Sequence, residues 1–134
     1  MINYFDVSKA MLDYLRANTS LDVFTQGAQY EQSTLGTHLR EMLMPATVDK
    51  GVGKNASDKL TAIYQIDVLT PISEGKWSNL NICDTLMALY PNGRQSSISR
   101  NSMVITVNSC ELSQMMKTGT HIMYSIRVNI GVVG

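Results

Sequence analysis

The sequence predicts an α+β domain in which an antiparallel or mixed β-sheet carries two helices on one face. Two segments, 3–17 and 75–90, place apolar residues at the three- and four-residue spacing of a helix. Two others, 62–69 and 121–133, alternate with the period of two that is typical of a half-buried strand. Because 134 residues is the length of one ordinary domain, we expect a single domain over 1–134.

Charge and composition exclude several classes of protein. Eleven Lys and Arg balance eleven Asp and Glu, so no overall field attracts nucleic acid or an anionic membrane. The apolar run 63–69 is interrupted by Gln65 and Asp67, and the first six residues lack a basic segment followed by an apolar one. We therefore expect neither a membrane span nor a signal peptide.

The first predicted elements are a helix and a short strand. The helix begins at Asn3, whose side chain can satisfy free amides together with Asp6, and it ends at Asn18, a residue that tolerates left-handed geometry. A short strand over 20–24 follows. The apolar positions of the helix are Tyr4, Val7, Met11, Tyr14 and Leu15.

A second strand and a long loop come next. Residues 37–44 are compact and apolar, which predicts a strand that ends at Pro45. Residues 46–60 contain two glycines and many charged or small polar residues, which predicts a long, flexible, exposed loop.

The clearest strand, 62–69, precedes a second helix over 75–90. Three signals end this helix: Pro91 lacks an amide hydrogen, Asn92 tolerates positive φ and Gly93 favours it. Its predicted apolar ridge contains Leu80, Cys83, Met87 and Tyr90, with Ile82, Leu86 and Leu89 beside it.

Two further strands, 103–107 and 121–133, complete the predicted sheet, with a turn at Thr118 and Gly119. The course of the chain over 101–120 stays open at this point.

The two histidines, His38 and His121, lie on different predicted strands and lack the ligand spacing of a zinc site. We interpret them as structural. Cys83 falls on the apolar ridge and Cys110 near a turn. Two cysteines are too few for a disulfide framework, and a cysteine nucleophile would need the fold to bring a histidine beside it.

A carboxylate pair for acid and base chemistry, formed by Asp84 with Asp67 or with Glu74, has no support in the local sequence. We therefore expect no catalytic residue, no metal site and no cofactor.

The long loop carries the remaining candidates. Gly51 to Asn55 lacks the spacer and the Lys-Ser/Thr pair of a phosphate-binding loop. A solvated loop is the simplest interpretation. The alternative is a basic finger of Lys50, Lys54 and Lys59 that contacts a neighbouring subunit or DNA. Residues 1–93 carry 7 basic and 10 acidic groups and residues 94–134 carry 4 and 1, a dipolar split that suits head-to-tail association.

A set of segments in a fixed order resembles the tail-terminator-like, or tail-completion, proteins of long-tailed bacteriophages (siphoviruses). The segments are 37–46, a Gly/Lys loop, the strand 64–71 and the helix end 84–93, and the likeness covers roughly 7–132. His38 stands where an aromatic residue is more usual. The motif positions are Leu39, Arg40, Pro45, Tyr64, Gln65, Asp67, Val68, Pro71, Gly75, Leu86, Pro91 and Gly93.

The resemblance implies a structural virion protein of the neck region, made in the bacterial host cytoplasm, and not an enzyme. It implies a homohexameric ring that ends the tail tube, contacts the tube protein and the head-tail connector, and lets DNA pass. Two alternatives stay open: another neck or tail-completion protein, and a small enzyme or ligand-binding domain with Asp84 or Asp67 in a cleft beside the second helix.

Overall fold

The computed structural model describes residues 3–27, 36–49, 59–96, 98, 100 and 102–134. These residues form two α-helices, one short 3-10 helix and seven strands, which confirms the predicted α+β class. In chain order they are α1 (Tyr4–Ala17), β1 (Val23–Thr25), β2 (His38–Asp49), β3 (Lys59–Pro71), the 3-10 helix (Ile72–Glu74), α2 (Gly75–Met87), β4 (Gly93–Gln95), β5 (Val104–Leu112), β6 (Met116–Lys117) and β7 (His121–Val133).

The described strands form one mixed sheet in the order β1-β2-β3-β7-β5-β4, and β6 also pairs with β7. Only β1 and β2 run parallel among these pairs. The central pair is β3 with β7, which are antiparallel along their whole length, from Lys59 opposite Val133 to Pro71 opposite His121.

Both helices pack on the same face of this sheet, as predicted. Alternate residues of β3 and β7, such as Ile66 and its register partner Ile126, join the buried core. Val7, Met11 and other residues of α1 belong to that core, as do residues of α2. We call this side the helix face and the other side the open face. Burial of each such apolar side chain contributes roughly 1.5–3 kcal/mol to folding.

The predicted start of α1 is confirmed. The Asn3 side chain accepts a hydrogen bond from the Asp6 amide at 2.8 Å, which satisfies one of the free donors at the helix end. The predicted end at Asn18 is also confirmed, since Asn18 follows the last helical residue, although its φ of −112° is not left-handed. Its side chain instead donates to the Tyr14 carbonyl at 2.8 Å, so a side-chain bond supports the end of the helix.

The second strand continues beyond Pro45, where the sequence predicted its end. β2 runs to Asp49, with a register shift between Pro45 and Thr47 that makes Ala46 an extra residue. A bulge of this kind accommodates proline, which cannot donate to the ladder. Residues 46–49 and 59–60 therefore belong to strands and not to the predicted loop, and 50–58 lie outside the described residues.

The second helix begins at Gly75 as predicted but ends at Met87, three residues early. Its last residues turn more tightly, since the Tyr90 amide donates to the Met87 carbonyl at 3.1 Å. Gly93 has φ +115°, in agreement with its predicted role in the turn. The predicted ridge is partly wrong, because Leu80 is half-buried whereas Asn79 is fully buried.

The last strands differ in length from their predictions. β7 has the predicted bounds, whereas β5 extends to Leu112 through a register shift between Val107 and Ser109. The sequence did not predict β4 or β6, which have three and two residues. Elements this short are too brief to show periodicity.

Candidate functional site

Three motif residues, Arg40, Gln65 and Asp67, meet on the open face. Arg40 donates from Nε and Nη2 to Asp67 Oδ2 at 2.9 and 2.8 Å. The other carboxylate oxygen, Oδ1, accepts from Gln65 Nε2 at 2.8 Å and from Ser125 Oγ at 2.6 Å. Asp67 is therefore bonded to β2, to its own strand β3 and to β7. We call these four residues the Asp67 network.

The Asp67 network is organised for structure and not for proton transfer. The Asp67 side chain is 1% exposed, whereas that of Arg40 is 31% exposed. Arg40 and Ser125 are the register partners of Asp67 on the two neighbouring strands. Because a one-residue slip would move the carboxylate to the other face, this ion pair favours a single register.

The other motif residues that the sequence singled out divide between core and turns. Leu39, Tyr64, Val68 and Leu86 are buried on the helix face. Pro71 precedes the 3-10 helix, Gly75 has φ +75°, Pro91 and Gly93 follow α2, and Pro45 adjoins the bulge in β2. In these positions the residues serve the fold, and they do not converge on a pocket.

The lysines of the predicted basic finger are only partly described. Lys59 is exposed at the start of β3, where it is the register partner of Asp49 on β2 and of Val133 on β7. Lys50 and Lys54 lie outside the described residues. The basic finger therefore stays a prediction.

The two histidines contact each other, which the sequence analysis did not predict. The rings of His38 and His121 are 5.2 Å apart and nearly perpendicular, and Phe24 packs edge-on against His38. His38 Nδ1 donates to the Gly36 carbonyl at 2.9 Å. Burial lowers the pKa of His38 from its ordinary value. In the described residues no group of three or more His, Cys, Asp and Glu side chains could hold a metal ion.

The cysteines are poorly suited to nucleophilic chemistry. Cys83 is buried on α2 and donates to Asn79 Oδ1 at 3.3 Å. Burial raises the pKa of Cys83 to about 12, and burial also raises the pKa of Cys110. Both side chains therefore remain thiols at neutral pH, and the thiolate is the reactive form.

Asp67 and Asp84, one of the two carboxylate pairs considered from the sequence, lie on opposite sides of the sheet. Asp67 lies in its network on the open face, and Asp84 is exposed on α2, which packs on the helix face. A depression of about 300 Å³ lies between the end of α1 and α2, but neither aspartate lines it. Its lining contains only neutral residues, such as Asn18, Asn81 and Thr85.

Asn79 is a structural residue that sequence reasoning missed. Its Nδ2 donates to the carbonyls of Val68 at 2.8 Å and Ile122 at 3.1 Å, so α2 is bonded to both central strands. The sequence held one signal for this role: Asn79 stands one helical turn before Cys83, within the apolar stripe of the helix.

The surface carries large apolar side chains that suit contact with other proteins. Trp77, the only tryptophan of the chain, is 75% exposed, Phe5 is 66% exposed and Met116 is 58% exposed. Lys76 Nζ lies 4.8 Å from the centre of the Trp77 ring. Exposed Trp and Phe side chains are typical of residues that become buried in interfaces. No sequence pattern predicted a function for them.

One comparison with known proteins gives a family, and another gives the fold. The family model described as "Phage tail terminator protein" matches residues 6–130. Twenty-one chains of solved structures match. One has a TM-score of 0.72 and 20% sequence identity, and the alignment covers 98% of this chain and 96% of that one, a likeness that shows the fold. No curated protein matches. In the described part of the chain no helix is long and apolar enough to cross a membrane.

Proposed function

This chain belongs to the phage tail terminator protein family, and from that premise we propose that it forms a homohexameric ring at the head-proximal end of the tail tube. The ring stops polymerisation of the tube and presents its other side to the head-tail connector. DNA passes through the lumen without sequence recognition. The subunit acts as a structural component of the neck, without catalysis, and is made in the host cytoplasm. The family match over residues 6–130 carries this proposal.

Ending a tube of stacked rings requires one ring with two unlike faces. The tip of a growing tube exposes the surface that recruits the next ring, so a terminator binds that surface and presents a different one. We propose that the connection 46–60 contributes to one face and the stretch 25–38 to the other. The central β3 and β7 pair, which is continuous over thirteen residues in each strand, supplies a rigid body between them.

Exposed apolar side chains and low charge support a role in assembly. Charged residues make up 16% of the chain, and Trp77, Phe5 and Met116 are each more than half exposed. The cores of protein interfaces are depleted in charge and enriched in aromatic residues and methionine. Such a surface suits a subunit that becomes covered by neighbouring subunits in the virion.

Deletion of the gene tests the proposed function. We expect tails of irregular or excessive length that fail to join heads, and we expect added purified protein to restore joining. Tails of normal length that still lack heads would assign the protein to the connector side of the neck instead. Normal infectious particles would contradict the structural role altogether.

The stoichiometry is tested separately on the assembled tail. A ring of six subunits of 14.8 kDa has a mass of about 89 kDa. Cryo-electron microscopy of the tail end should therefore show sixfold density for this chain. Another symmetry would contradict the hexamer. The terminator role would still be tested by the gene deletion.

A further inference from the structure

The sheet ends on each side in a strand of only three residues. On one side β1 pairs with Leu39–Glu41 of β2, and on the other side β4 pairs with Ile105–Val107 of β5. The strands that they cover are longer, with twelve residues in β2 and nine in β5. Each outer strand therefore covers only part of its neighbour. We call the two sides the β1 edge and the β4 edge.

The two outer strands cover opposite halves of the sheet. Through β3, the part of β2 that pairs with β1 lies level with residues 124–126 of β7. The part of β5 that pairs with β4 lies level with residues 130–132 of β7. Among the described residues, the β4 edge is therefore uncovered where the β1 edge is covered, and the reverse holds at the other end of the strands.

The uncovered part of β5 offers main-chain hydrogen-bonding groups to the outside. Just after β5, the Ser113 amide donates to the Ser125 carbonyl of β7 at 2.8 Å. Alternate residues of an antiparallel strand direct their N–H and C=O groups to opposite sides. Cys110 and Leu112 consequently direct these groups away from β7, where no described strand pairs with them.

The uncovered part of β2 offers the same kind of groups. The Leu39 amide donates to the Asp22 carbonyl beside β1 at 2.8 Å, so Leu39 and every second residue after it direct their main-chain groups away from β3. Leu43 is one of these, and no described strand pairs with it on that side. Both edges can therefore accept an additional strand.

The uncovered part of the β4 edge also carries exposed apolar side chains. Leu112 is 37% exposed, Met115 is 38% exposed and Met116 is 58% exposed, all within five residues. A sheet edge that combines free main-chain groups with exposed apolar side chains is a template for pairing with another chain.

We propose that the β4 edge binds the β1 edge of a second copy of this chain, so that the sheet continues from one subunit into the next. The neighbour's β1 pairs antiparallel with the uncovered part of β5, and β4 pairs parallel with the uncovered part of the neighbour's β2. The two short strands then lie end to end in one line. One strand separates β5 from the neighbour's β2 along both halves, so the offset edges fit together.

Charge favours contact between unlike edges. Residues 1–49, which include β1 and β2, carry 3 basic and 6 acidic groups, whereas residues 93–117, which include β4, β5 and β6, carry 3 and 1. The β4 edge is therefore attracted to a β1 edge more strongly than to another β4 edge. Contact between two different surfaces of one chain repeats from subunit to subunit and can close into a ring. The inference rests on the proposed ring and names the contact that joins its subunits.

Disulfide cross-linking of assembled tails tests the contact. The variant carries Thr25→Cys on β1 and Leu112→Cys on β5, in a Cys110→Ser background. Both positions lie level with Ile126 of β7, but four strand spacings, about 19 Å, separate them within one subunit, which is too far for a disulfide. Between neighbouring subunits they become adjacent. Mild oxidation should give a ladder of cross-linked species up to six subunits, and a thiol reductant should abolish it.

The single variants are the controls, and neither should cross-link. A dimer formed by Leu112→Cys alone would show that two β4 edges meet, and it would overturn the proposal. A double variant that stays uncross-linked on tails with sixfold density for this chain would also overturn it, while the ring of the proposed function would stand. Tails that lack the chain would contradict the proposed function and the contact together.

A second variant tests the β4 edge without cross-linking. Leu112→Glu/Met116→Glu places two negative charges on this edge, which should lower the amount of the chain on tails at least about tenfold. Circular dichroism of the free subunit should stay unchanged, because both side chains are exposed. The matched control Asn81→Glu/Thr85→Glu adds the same charge at exposed positions of α2 and should assemble like the parent. Equal assembly of the two variants would overturn the proposal.

Discussion

The two faces of the sheet differ in the interactions that stabilise them. The helix face buries a continuous apolar core, in which Ile66 and Ile126 are opposite each other on the two central strands. The open face, one residue further along the same strands, centres on the Asp67 network and on the two histidine rings. Apolar burial has no preferred direction, whereas hydrogen bonds and ion pairs do. The difference suggests that one face supplies most of the stability and the other selects the register.

The open face is also the more accessible of the two. Met42, Ile63 and Gln65 are half-buried and Arg127 is exposed, whereas the corresponding residues of β3 on the helix face are almost fully buried. The ring that we propose would need a subunit surface that keeps its shape before contact. A network whose bonds are already formed meets that requirement.

Truncation in the core should give the largest loss of stability. Ile66→Ala removes a fully buried side chain from the helix face and leaves a cavity, and we expect the free energy of unfolding to fall by about 4 kcal/mol. Urea unfolding monitored by the fluorescence of Trp77 or by circular dichroism measures this. A loss below about 1 kcal/mol would contradict the assignment of stability to the helix face.

Breaking the Asp67 network should give the next largest effect. Asp67→Ala leaves Arg40, Gln65 and Ser125 without their shared acceptor, and we expect a loss of about 3 kcal/mol, since Arg40 retains access to solvent. Asp84→Ala, which removes an exposed aspartate, is the matched control and should change stability by less than about 0.5 kcal/mol. Equal effects of the two variants would show that the network does not contribute.

The open face should also be the pH-sensitive one. Burial lowers the pKa of His38 from 6.5, with His121 and Arg40 acting in the same direction and the Gly36 carbonyl and Asp22 opposing. The unfolded chain therefore binds more protons, so stability is complete above pH 6.5 and decreases as the pH falls below it. Unfolding curves between pH 8 and 5 measure this decrease. The variant His38→Gln should lose part of the dependence, and an unchanged dependence would contradict the assignment.

The smallest effect on stability is expected at the basic finger, where we expect substitutions to affect assembly but not folding. Changing Lys50, Lys54 and Lys59 together to Ser should alter the free energy of unfolding by less than about 1 kcal/mol, since exposed charges contribute little to folding. Particle yield or DNA retention should nevertheless fall. Unchanged yield and infectivity would favour a simple solvated loop.

Local patterns in the sequence were sufficient for the long elements. The period-two alternation of 121–133 predicted β7 with its correct bounds, and Asn3 followed by Asp6 predicted the start of α1. Gly93 predicted a positive φ. Such features depend on neighbouring residues, so the sequence displays them directly. The order of the motif segments was also enough to indicate the family.

Other features depend on which strands become neighbours, and only the tertiary structure decided them. The contact of His38 with His121 and the hydrogen bond from Ser125 to Asp67 join residues that are distant in the chain. The bulge at which β2 passes Pro45 follows from the register of β2 on β3. The short strands β4 and β6 form because β5 and β7 offer unpaired edges. A sequence read locally contains the residue types for these contacts but not their register, because register is set by the packing of the whole sheet.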